Sequence, residues 1–78
     1  MSARPTTAQQ ATQRFAANLR RARDRAGLTQ EELADEADLH RTAISFLERG
    51  EREPRLWTLV KLSYALKIPP SELLEDLA

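Results

Sequence analysis

The chain has 78 residues, 41% hydrophobic and 31% charged, with a formal net charge of zero, no cysteine and one histidine. That length allows one small domain, which buries only about 60% of the surface its unfolded chain exposes. The missing cysteines exclude disulfides, thiolate metal sites, cysteine nucleophiles and iron–sulfur ligation, and His40 alone cannot build a multi-histidine centre. No cofactor or metal is therefore expected.

No apolar run approaches the roughly 20 residues a membrane span needs. Met1 to Thr7 has no apolar segment after its arginine, so no signal peptide is read there. A cytoplasmic chain without membrane contact is the expectation. Neutrality hides a strong segregation of charge. Residues 1–27 carry six arginines and one aspartate, and residues 28–39 carry five acids and no base. Residues 40–61 turn basic again, and 62–78 are mildly acidic.

Residues 1–6 are read as a flexible tail and 7–78 as one domain. The first helix is expected from Thr7, with Gln10 completing a capping box, to the residue before Gly27. Phe15, Leu19 and Ala22 form its inner face, and Arg14, Arg20, Arg21, Arg23 and Arg25 cover the rest. The second helix starts at Thr29 with Glu32 three residues on, buries Leu33, Ala34 and Ala37, and ends within ten residues. Asp38 can take left-handed dihedrals at modest cost, and Leu39 can plug the angle of the turn. A third helix follows from Arg41 to about Arg49, with only Ile44 and Leu47 clearly inward. Two short helices, a tight turn and a buried leucine are the parts of a helix-turn-helix. The fourth helix runs from about Arg55 to Leu66 with Leu56, Leu59, Leu62, Ala65 and Leu66 on its core face. A last short helix opens at Pro69-Pro70-Ser71 and extends through Leu73, Leu74 and Leu77.

On the fourth helix Trp57, Val60 and Tyr64 recur at i, i+3 and i+7, offset from the leucine face. A helix apolar on two sides needs a second partner, and Trp and Tyr are residue types that anchor interfaces. With Leu73, Leu74 or Leu77 nearby, this stripe reads as a homodimer surface. The competing reading folds the first helix's N-terminal extension, residues 6–14, over it.

Four segments in order, Gly27-Leu28-Thr29-Gln30-Glu31-Glu32-Leu33-Ala34, Leu39-His40-Arg41-Thr42-Ala43-Ile44-Ser45, Leu47-Glu48-Arg49-Gly50 and Pro54-Arg55-Leu56-Trp57-Thr58-Leu59, resemble the Cro/repressor-type helix-turn-helix domains of phage and bacterial transcription regulators. Size and the Arg41-Thr42 pair look most like the small controller regulators of restriction–modification systems. The resemblance covers roughly residues 15–74 and implies a compact five-helix, lambda-repressor-like all-α domain. Three positions depart from the pattern. His40 stands where serine usually caps the third helix, and Asp38 and Lys67 stand where glycine is common.

The resemblance implies a sequence-specific regulator of double-stranded DNA, acting as a homodimer on a pseudo-palindromic operator with its third helix in the major groove. Matching positions assign base contact to Arg41, Thr42, Ser45 and Phe46. Arg41 suits bidentate donation to guanine, Thr42 an acceptor or a thymine methyl, Ser45 an acceptor and Phe46 a methyl. An exposed phenylalanine is costly, so packing under the helix is the other reading for Phe46. Phosphate contact falls to Gln30 at the start of the second helix and to His40, Arg49, Arg52 and Arg55. Acids matching Glu31 and Asp35 contact RNA polymerase in some relatives; a solvated helix face is the alternative. No enzyme is expected, because Asp38, His40 and Ser45 lack a pocket-forming segment. The rival function is an antitoxin-like protein-binding module that offers the basic first helix to an acidic partner.

Overall fold

The computed structural model describes residues 7–77. Along it run α1 (Ala8–Ala26), α2 (Gln30–Ala37), α3 (Arg41–Glu48), α4 (Leu56–Leu66) and α5 (Pro70–Leu73), with no strand among the described residues. The all-α, five-helix expectation holds. The expected tail, residues 1–6, lies outside the described residues.

Local chemistry sets the helix boundaries. At α1 the Thr7 hydroxyl accepts from the Gln10 N–H and the Gln10 side chain accepts from the Thr7 N–H, both at 3.1 Å. Thr29 and Glu32 repeat this reciprocal pair at α2, at 3.0 and 2.9 Å. His40 occupies the capping position of α3 with extended dihedrals and no side-chain cap bond, as a histidine there should. Three helices end alike. Gly27, Asp38 and Lys67 each adopt left-handed dihedrals, and the N–H of the apolar residue that follows closes the last turn. Leu28 donates to the Arg23 carbonyl, Leu39 to that of Ala34 and Ile68 to that of Ser63. Each of these apolar residues packs against the core, so one device both stops a helix and seals its end.

The core joins Phe15 and Leu19 of α1, Leu33, Ala34 and Ala37 of α2, and Ile44 and Leu47 of α3. Leu59, Leu62 and Leu66 of α4 and Leu73 of α5 complete it. Fully burying a leucine or phenylalanine contributes about 1.5–3 kcal/mol, and the alanines let α2 approach its neighbours closely. Asn18, also buried, fixes the C-terminal end: its Nδ2 donates to the carbonyls of Leu73 (3.0 Å) and Glu75 (2.9 Å), while its Oδ1 accepts from Arg21.

A second, polar centre lies where α1, α2 and α3 meet. Glu48, at the end of α3, is 3% exposed. Its carboxylate accepts from Arg23 Nε at 2.6 Å and Nη2 at 3.0 Å, and from Gln30 Nε2 at 3.0 Å. Arg23 Nη1 reaches the Leu28 carbonyl at 2.9 Å, and Arg20 donates to the Glu48 carbonyl. Donating to the Glu48 carboxylate raises the Arg23 guanidinium above its usual range against the opposing pull of burial.

Three expectations need correction. Leu56, assigned to the core face, is 79% exposed, because α4 begins there and its inward positions are 59, 62, 63 and 66. Ser63 takes an inward position by donating its hydroxyl to the Val60 carbonyl, at 3.0 Å. Leu73, assigned to a partner surface, is fully buried in its own chain, and Leu77 packs partly buried against the same core. The last helix is also shorter than expected, ending at Leu73.

Two stability outcomes follow. Glu48→Ala strands the Arg23 charge in a mostly dry site and should cost about 3 kcal/mol in urea unfolding, nearer the lower end for a buried pair because Arg23 keeps 17% side-chain exposure. A loss under 1 kcal/mol would show that the pair is not a structural hub. Lys67→Gly relieves a left-handed residue at φ 59° and should stabilise by about 0.5–1 kcal/mol, raising the melting temperature by a few degrees. An unchanged or lower melting temperature would remove the argument for strain there.

Candidate nucleic-acid interface

Eight residues of α3 make a rod about 12 Å long, from the 1.5 Å helical rise. Ile44, Leu47 and Glu48 anchor it inward. The opposite face carries Arg41 and Thr42, exposed, and Ala43, Ser45 and Phe46, half-buried, with the side chains of Arg49 and Arg52 lying against Ser45 and Phe46. An open polar cleft of about 460 Å³ runs along one side, lined by Arg23, Thr29, Gln30, Glu31 and Arg41. A smaller groove of about 210 Å³ runs along the other, lined by residues that include Leu39, Ala43, Arg52, Glu53, Pro54 and Arg55. The exposed edge of α3 therefore stands between two depressions with cations on their walls.

The fold brings most of the expected contact residues to this edge. Gln30 and Arg41 share the first cleft, and Arg52 and Arg55 share the second. Gln30 is not a free amide, since its Nε2 is held by Glu48. That bond fixes the side chain beside the backbone N–H groups that open α2, where helix geometry leaves donors unpaired. His40 is exposed at the start of α3. Phe46 falls between its two expected readings: it is half-buried, with the Arg52 guanidinium 4.2 Å and that of Arg49 5.0 Å from its ring centroid. Arg49 is heavily engaged, with Nε and Nη2 on the Glu51 carboxylate at 2.9 and 3.3 Å and Nη1 on the Ser45 hydroxyl. The hydrogen bond from Arg49, with the nearby charges of Arg49 and Arg52, holds the Glu51 carboxyl below the usual carboxylate range.

The remaining arginines divide sharply. In α1, Arg14 donates to the Asp76 carbonyl, Arg20 and Arg23 to Glu48, and Arg21 to Asn18, while Arg25 lies 3.7 Å from Glu72. Around α3, Arg41 and Arg55 carry no hydrogen bond or ion pair among the described residues, and Arg52 lies over the Phe46 ring with its charge acting on Glu51. Sequence reasoning treated Glu48 only as part of a motif and Arg23 as surface. The missed signal is positional: 44, 47 and 48 share one helix face, so a carboxylate at 48 points inward and requires a cation. Away from α3, Leu56, Trp57, Val60 and Tyr64 form an exposed apolar stripe on α4, with Leu74 also exposed. Residues 7–14 do not cover it, since Tyr64 is 87% and Trp57 67% exposed.

A family model for the helix-turn-helix matches residues 19–73. The control protein C.BamHI of Bacillus amyloliquefaciens is 47% identical over 51 residues, which span 65% of this chain and 63% of that protein. The crystal structure of the restriction-modification controller protein C.AhdI from Aeromonas hydrophila superposes with a TM-score of 0.78 at 40% identity, covering 80% of this chain and 94% of that one. The DNA-binding domain of the P22 C2 repressor is similar with a TM-score of 0.75 at 32% identity, over 82% of this chain and 86% of that domain. By this match, and by the outward third helix flanked by Arg41 on one side and Arg52 and Arg55 on the other, the chain belongs to the helix-turn-helix family of Cro/repressor-type DNA-binding transcription regulators.

Proposed function

We propose that this chain binds a pseudo-palindromic operator as a homodimer, with α3 of each copy in the major groove, and serves as the controller of a restriction–modification system. The observation that carries this is the placement of uncommitted charge. Arg41 and Arg55 stand without carboxylate partners beside the exposed edge of α3, and Arg52 forms no ion pair there, while every arginine of α1 is engaged within the chain. The relationship to C.BamHI and C.AhdI supports the controller role.

Within this reading the exposed Arg41 and Thr42 meet base edges, joined by the half-buried Ser45 and Phe46. Gln30, His40, Arg52 and Arg55 flank them on the phosphates. The α4 stripe supplies the dimer contact, with Leu56 and Leu74 joining Trp57, Val60 and Tyr64 in place of Leu73. A two-fold symmetric operator of this kind offers its half-sites one helical turn of DNA apart, about 34 Å. The rival protein-binding module needs α1 as a free cationic face, and the internal bonds of Arg14, Arg20, Arg21, Arg23 and Arg25 argue against it.

Selection of bound sequences from random duplex should return a two-fold symmetric site. Arg41→Ala should relax one base pair per half-site by about 1–3 kcal/mol of discrimination. Arg55→Ala should instead weaken all duplexes alike and reduce the salt slope by about one. Equal, sequence-independent losses for both variants would refute the division of roles. In sedimentation Tyr64→Asp should convert dimers to monomers with helix content intact; dimers persisting at the same concentration would displace the interface from α4.

A further inference from the structure

Two of the four base-facing side chains, Ser45 and Phe46, are touched by the same guanidinium. Arg49 Nη1 donates to the Ser45 hydroxyl, its carbon lies 5.0 Å from the Phe46 ring centroid, and Nε and Nη2 are braced on Glu51. Three of its five N–H donors are thus spent inside the chain, an unusual state for a residue whose task is to grip phosphate.

A serine hydroxyl ordinarily donates or accepts as its surroundings require. On a helix it commonly satisfies itself by donating to a carbonyl one turn back. Thr12 does so to Ala8 at 2.7 Å, and Ser63 donates to Val60 at 3.0 Å. Ser45 makes no such bond among the described residues; its oxygen accepts from a cation instead. The positive guanidinium repels the hydroxyl proton, so the O–H bond points away from Arg49 with no partner in the chain. A donor such as the cytosine amino group would approach this oxygen against both the proton and the cation. An acceptor, such as guanine N7 or O6, adenine N7 or thymine O4, meets the proton directly.

We propose that Arg49 is a positioning residue for base readout: braced by Glu51, it holds Ser45 as a hydrogen-bond donor and restricts that position to base edges that accept. This rests on the DNA-binding reading above and changes one earlier assignment, moving Arg49 from phosphate contact to the control of its neighbour. Glu51 orients the guanidinium, and Arg52, 4.2 Å from the Phe46 ring centroid, fixes the ring beside it.

The test compares the wild-type chain with Arg49→Gln/Glu51→Gln, which keeps the net charge, with Ser45→Ala, and with the triple variant. All three sites are outside the core, and circular dichroism checks the fold. Bound-sequence selection is combined with affinities for single base-pair variants of the selected duplex across a salt series. Discrimination against cytosine at the base edge read by Ser45 should fall about 3- to 10-fold in the double variant, the range set by one hydrogen bond. The salt slope should stay at the wild-type value. Adding Ser45→Ala should change that base pair no further. The proposal is overturned if the double variant keeps its base preference while its salt slope drops by about one, the signature of a lost phosphate contact. It is equally overturned if the effects of Ser45→Ala and the double variant simply add. A wild-type chain that enriches no sequence would overturn the DNA-binding reading and this proposal together, an outcome distinct from the other two.

Discussion

The buried Glu48 carboxylate is the constraint on which the arrangement depends. A charge in a mostly dry site is tolerated only with close, well-aimed donors, and here Arg23 and Gln30 provide three. Among the described residues no buried side-chain polar atom is left without a partner. Apolar contacts could hold three helices together at many angles. A bidentate ion pair with a third donor accepts far fewer. The end of α1, the start of α2 and the end of α3 are therefore set relative to one another by directional bonds, and the exposed edge of α3 inherits its angle from them.

That inheritance matters because α3 has little stability of its own. Eight residues without a side-chain cap would not persist as an isolated helix in water. Ile44 and Leu47 hold it by burial and Glu48 by hydrogen bonds, so its order is borrowed from α1, α2 and α4. Rigidity then leaves the first turn of the outward face, Arg41 and Thr42, exposed. The same division separates roles along α4, where one side fills the core and the other carries the apolar stripe.

What was legible in the sequence was local. Reciprocal caps at Thr7 and Gln10 or Thr29 and Glu32 need only a four-residue window, and they stand where expected. Left-handed ends at Asp38 and Lys67 were likewise visible as residues out of place. The core periodicity of α1, α2 and α3 survived because each of these helices buries one face. What failed depends on where helices end relative to one another. Leu56 and Leu73 are chemically interchangeable leucines, yet one is solvent-facing and the other enclosed, because α4 begins at Leu56 and α5 packs back on α1. Asn18 and Glu48 sit on inward faces, but their partners are 55 and 25 residues away, beyond any periodic pattern. At the proposed interface the outer residues were legible by position, whereas the engagement of Gln30 and Arg49 was not.

The internal commitment of the α1 arginines also governs how this molecule meets DNA that is not its target. Attraction to random duplex grows with the number of phosphates a surface can neutralise. Arg14, Arg20, Arg21 and Arg25 stay solvent-exposed, yet each is tethered to a partner in its own chain, so fewer guanidiniums than the arginine count suggests are free to swing toward a phosphate. Off-site encounters would be brief and readily displaced by ordinary salt. A regulator made in few copies would then spend less of its time stalled on the rest of the chromosome.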